Sequence, residues 1–139
     1  MSSGARALYT PEILAAAAGL AAFPWDEALP LQGDARSRSC GSTIAMALSL
    51  DGEGRIMRIG LRPHACAVGQ AAAHAFATGA VGRNREHIAA ARAQIGAWLA
   101  GDGPLPDWPG LHLIEAARDY PGRHGAIVLA WDAALAALS

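Results

Sequence analysis

Only two cysteines occur in these 139 residues, Cys40 and Cys66, and so little sulfur excludes a disulfide framework. The two read as reduced thiols. Long apolar runs are missing as well. Although 53% of the chain is hydrophobic, much of that share is alanine, and no run approaches the roughly 18 uninterrupted apolar residues of a membrane span. Met1-Ser2-Ser3-Gly4-Ala5-Arg6 lacks the basic start, apolar run and cleavage site of a signal peptide, so a cytoplasmic location without a membrane partner is expected. Charge of one sign is absent too: 11 basic and 12 acidic residues give a net charge of −1, which leaves no basic field to hold nucleic acid. No serine, histidine and carboxylate fall into a nucleophile arrangement, and Gly52-Glu53-Gly54 reads as a hairpin turn, not a phosphate loop. What is present is one domain, residues 1–139, long enough to bury a core without staples.

Thr10-Pro11-Glu12 starts a helix: Thr10 caps the free amides and Pro11 suits the first helical position, with Gly19 as the stop. Residues 33–39 carry an even spread of charges and serines, which suits a polar edge strand. From Ser42 to Leu50 the pattern alternates, with Ile44, Met46, Leu48 and Leu50 on one face. Asp51-Gly52-Glu53-Gly54 turns the chain into a return strand, residues 55–62, with Met57, Ile59 and Leu61 inward and Pro63 as its end. A small-residue helix over residues 66–79 follows, and Asn84 caps another that runs to about Ala100. A loop, a short helix over residues 109–118 and a last helix from about Gly125 complete the chain. Three strands followed by a block of helices indicate an α+β fold: a two-layer sandwich of a small antiparallel three-stranded sheet packed against four to five helices.

Cys40 lies in Ser39-Cys40-Gly41-Ser42 at the entrance to the alternating strand. Gly41 leaves its sulfur approachable, and Arg36 and Arg38 would favour the thiolate; the plainer reading is a small buried hydrophobe. Cys66 lies where the return strand gives way to the small-residue helix, near amides and a dipole that stabilise an anion. Two thiols at the ends of adjacent elements can face one metal or one sulfur atom. His64 is a possible nitrogen donor there, or a solvated loop residue. His74 and His87 read as helix-surface residues, and His112 has no partner that the sequence identifies.

A third segment, Tyr120 to Trp131, reads by itself as a turn followed by the buried face of a terminal helix. Together with Cys40-Gly41 and Cys66, its order and spacing resemble the NifU/IscU/SufU family of iron–sulfur cluster assembly scaffolds, over roughly Leu8 to Leu138. Arg123, Leu129, Ala130 and Trp131 match the family's Arg-x-x-Cys-x-x-Leu-Ala-Trp segment. The resemblance implies a single NifU N-terminal-like (IscU/SufU-like) domain with a SufE/NifU-like sandwich. It carries Cys40 onto the first family cysteine and Cys66 onto the second. The third falls on Ala126, the usual carboxylate of Cys-Gly-Asp on Ser42, and the IscU-branch histidine on Gly125. The insert from Leu105 through Tyr120 makes the SufU branch the closer relative.

The resemblance implies a scaffold or sulfur carrier that accepts sulfur or a labile iron–sulfur cluster on Cys40 and Cys66. Its partner would be a cysteine desulfurase, with a second copy in a homodimer completing the ligand set. His124 is the substitute for the lost ligands, so that Cys40, Cys66 and His124 with a water would form a three-ligand open site. Asp34 and Asp119 are further oxygen donors. Two alternatives stay open: a zinc- or iron-binding persulfide relay, and a degenerate regulatory paralogue that binds no metal.

Overall fold

The computed structural model describes residues 8–38 and 41–139, so Cys40 and its neighbour Ser39 lie outside the described residues. Three strands, β1 (Leu31–Arg36), β2 (Thr43–Leu50) and β3 (Ile56–His64), form an antiparallel sheet in the order β1-β2-β3. Among the described residues, five α-helices accompany it: α1 (Pro11–Ala18), α2 (Ala67–Ala80), α3 (Arg85–Leu99), α4 (His124–Ile127) and α5 (Leu129–Leu138). Short 3-10 turns lie at Gly19–Ala22, Leu111–Asp119 and Pro121–Arg123. The expected α+β sandwich is thus the observed one.

Local chemistry sets most boundaries. Thr10 Oγ1 accepts from the Ile13 amide at 3.1 Å and opens α1. Asn84 Oδ1 accepts from the His87 amide at 2.9 Å, and His87 Nδ1 accepts in return from the Asn84 amide at 3.1 Å. This is a capping box with histidine in the usual Glu or Gln place. In the hairpin turn, Asp51 Oδ1 accepts from the amides of Glu53 and Arg55, at 2.8 and 2.9 Å.

Three details of the sheet differ from the sequence reading, the first being that β1 runs from Leu31 to Arg36 and not over residues 33–39. Met57 is 52% exposed and Ile56 only 1%, because the pairing shifts register between Ser49 and Leu50. The extra residue swaps the parity of β3, so Ile56 faces the core in place of Met57. Nor does Pro63 end the strand, which continues to His64. The Leu61 amide points away from β2, to the Phe23 carbonyl at 3.0 Å. Pro63 lies two residues on, on the same outward side of an edge strand, where a missing donor costs the ladder nothing.

The core lies between the sheet and the helices. Met46 pairs with Leu61 and Leu48 with Ile59 on its sheet face, with Ile44 beside them. α5 crosses β1 so closely that a Cβ at Gly33 would stand 2.5 Å from the Ala137 backbone nitrogen. Phe76, Trp108 and Trp131 meet with ring centroids 5.2–5.9 Å apart, tying α2, the Leu105–Gly110 loop and α5 together. No helix among the described residues is long and apolar enough to cross a membrane.

Candidate functional site

Three connections converge at one pole of the sandwich: the β1–β2 loop, the β3–α2 junction and the entrance to α4. Gly41, Ser42, His64, Ala65, Cys66 and Arg123 line an open cleft there of about 340 Å³. The β1–β2 loop is closed by backbone bonds, from the Ser37 amide to the Ser42 carbonyl at 2.8 Å and from the Gly41 amide to the Ser37 carbonyl at 3.0 Å. Gly41 takes φ +71°, a left-handed conformation that favours glycine, and Ser42 behind it is buried.

Cys66 is the N-cap residue of α2, with extended φ and ψ. Its carbonyl accepts the Gln70 amide at 2.9 Å, while its side chain makes no capping bond. The half-buried sulfur is therefore left to the cleft. Gln70 Nε2 donates to the Ala65 carbonyl at 2.7 Å and fixes the backbone one residue before the thiol. The first amides of α2 and its dipole favour negative charge at this end of the helix.

Ala126, onto which the family resemblance carries the third cysteine, is fully buried. A Cβ added at Gly69 would lie 3.1 Å from the Ala126 Cβ and 3.0 Å from the Ala65 Cβ. The Ala126 methyl is thus wedged against the first turn of α2. His124 goes elsewhere: its Nε2 lies 2.6 Å from the Arg118 carbonyl, and it lines a separate cleft with Arg92, Leu99 and Val128. Arg123, its neighbour in sequence, lines the same cleft as Cys66. Asp34 on β1 and Asp119 are exposed and line neither cleft.

The donors that the described residues bring to the Cys66 cleft are one thiol, the exposed His64 imidazole and the Ser42 hydroxyl, with no carboxylate. Among the described residues, no group of three His, Cys, Asp or Glu side chains can hold a metal ion. These residues alone do not complete a tetrahedral zinc site. The sequence reading used Arg123 only as a motif match and missed its place beside Cys66. Its Nε is buried with no hydrogen-bond partner, and no ion pair engages Arg123 among the described residues.

No protein-family model matches the chain, and no curated protein matches it. Solved structures do. The chain is similar to the N-terminal part of a nitrogen-fixing NifU-like protein from Brucella abortus, at 26% identity and a TM-score of 0.82, covering 97% of this chain and 94% of that one. It is also similar in fold to a protein described as an iron–sulfur cluster assembly scaffold for the SUF system of the thermophile Fervidobacterium islandicum AW-1. That match has 18% identity and a TM-score of 0.83, and covers 95% of this chain and 97% of that one. Both neighbours agree with the resemblance to the NifU/IscU/SufU-like family that the sequence carries.

Proposed function

We propose that this chain serves iron–sulfur cluster assembly as a scaffold or sulfur carrier in the cytoplasm, with Cys66 as the thiol that accepts sulfur. The observation that carries this reading is the uncapped Cys66 side chain in an open cleft beside Arg123, on a fold similar to NifU-like and SufU structures over almost its whole length. A thiolate is the nucleophile that takes sulfur from a persulfide, and a guanidinium with helix amides stabilises it. Cys40 is the second acceptor, two positions before the buried Ser42.

Sulfur acceptance stands ahead of cluster retention here. A labile cluster held as cargo needs about four protein donors. With Ser42 and Ala126 in two of those places, Cys40 and Cys66 are left with the His64 imidazole in the Cys66 cleft and with His124 in a separate one. His124 joins them only if its ring leaves the Arg118 carbonyl. A second copy of the chain in a homodimer is the other source of ligands.

The test pairs the chain with a cysteine desulfurase and cysteine, then maps sulfur by mass spectrometry. One added sulfur on Cys66, lost in Cys66→Ser, supports the carrier. Anaerobic reconstitution with iron and sulfide, followed by visible absorbance, reads cluster retention separately. A desulfurase that leaves Cys66 unmodified overturns the reading.

A further inference from the structure

We propose that the Cys66 cleft also takes sulfur directly from a small anionic sulfane-sulfur donor of the thiosulfate class, with Arg123 holding the sulfonate end. The proposal rests on the reading of Cys66 as a sulfur acceptor and names a second source for that sulfur. Its basis is the charge inventory of the cleft. The lining groups are a guanidinium, an imidazole, a hydroxyl and a thiol, and neither Asp nor Glu is among them. In the family pattern a carboxylate stands where Ser42 stands, and it would offset a cation such as Arg123. Its loss turns the cleft from one suited to a metal cation into one suited to an anion.

Arg123 carries the second observation. Buried polar groups are paired in nearly all folded proteins. Arg123 Nε is shut off from solvent with no partner, and no carboxylate pairs with the guanidinium among the described residues. A planar guanidinium fork matches the oxygens of a sulfonate. The chain has no lysine, and all 11 of its Lys-plus-Arg residues are arginines. The cleft volume of about 340 Å³ suits a small molecule.

The chemistry closes without a further reagent. The Cys66 thiolate attacks the outer sulfur of thiosulfate and forms a new S–S bond. The bond between that sulfur and the sulfonate breaks, and its electron pair leaves with sulfite. A thiolate and a thiosulfate dianion become a persulfide anion and a sulfite dianion, so atoms and charge balance and nothing else is oxidised or reduced. Nucleophile, donor and leaving group are all anions. Fixed positive charge that needs no rearrangement lowers the barrier to bringing them together.

The experiment incubates the chain with thiosulfate and no desulfurase, and follows intact mass over time. The expected result is a gain of one sulfur on Cys66, release of sulfite, and no gain in Cys66→Ser. Arg123→Gln is expected to slow loading about tenfold, Arg123→Lys to restore most of the rate, and an added excess of sulfate to compete. With a neutral organic trisulfide, which the Cys66 thiolate attacks to form a mixed disulfide with the organic thiol while an organic persulfide anion leaves, the loss of modification rate in Arg123→Gln should be much smaller. An equal loss with both reagents makes Arg123 a structural residue and overturns the sulfonate site. No loading by thiosulfate, while a desulfurase loads Cys66, overturns this proposal and leaves the carrier reading intact. Failure of both donors overturns the carrier reading itself.

Discussion

Ala126 sits against Gly69: a Cβ built on that glycine would stand 3.1 Å from the Ala126 Cβ, at the first turn of the helix that Cys66 caps. The position that the family resemblance gives to a third cysteine is therefore next to the surviving one, and the chain fills it with the smallest side chain that still packs. At this pole the described residues bring together one thiol, one imidazole and one hydroxyl, with no carboxylate.

Restoring the donors should restore metal affinity. The double variant Ser42→Asp, Ala126→Cys adds a carboxylate at the cleft and a thiol against the first turn of the helix that Cys66 caps. It is expected to bind zinc at least about tenfold more tightly than the wild-type chain, by competition with a chromogenic chelator. Equal affinity in the two proteins would mean that these positions do not converge on Cys66.

Tight backbone contacts predict where a single methyl is costly. Gly33→Ala sets a Cβ 2.5 Å from the Ala137 nitrogen and 2.9 Å from the Ala133 oxygen, both backbone atoms of α5. Helix and sheet must separate, and overpacking of this kind costs about 1–3 kcal/mol. Denaturant unfolding should show that loss. Gly52→Ala, with nothing near its Cβ, serves as the control.

Trp108 donates its indole N–H to the Ala75 carbonyl at 2.7 Å inside the core, and Gly79 leaves room for the ring. Trp108→Phe removes this donor and leaves the Ala75 carbonyl with the Thr78 hydroxyl, which donates to it at 3.2 Å. The expected loss is about 0.5–1.5 kcal/mol for the one hydrogen bond, read as a lower unfolding midpoint with an unchanged slope.

Asp51 gives the hairpin a pH dependence. The Arg55 and Glu53 amides hold its carboxyl below the ordinary carboxylate value. A depressed folded-state pKa contributes stability that is present at neutral pH and lost as the pH falls below about 4, through the folded value. Thermal midpoints of wild type and Asp51→Asn should therefore draw together as the pH drops from neutral into that range. A difference that stays constant with pH would contradict the turn's electrostatic origin.

Much of the fold was legible because caps and turns are local. Thr10, Asn84 and the Asp51 turn each act within a few residues, and each stands where its side-chain chemistry requires. Ile59 and Leu61 face inward as the alternation indicates, but the start of β3 was not legible: a one-residue shift at Ser49 and Leu50 turns Met57 outward, and only the pairing partner specifies it. At the site, the motifs pointed to Cys66 and Arg123. The separation of Arg123 from His124 depends on how the chain enters α4, where adjacent side chains face different clefts. No spacing rule reports that turn. Arg123's buried, unpaired Nε is likewise a property of packing, invisible until the elements are assembled.

The most direct test of the central claim is the sulfur content of Cys66 after exposure to a cysteine desulfurase with cysteine, measured residue by residue in the intact chain. The account predicts a persulfide on Cys66 that a small thiol acceptor then removes, with none on Cys66→Ser. A Cys66 that stays a bare thiol while the desulfurase turns over would contradict it.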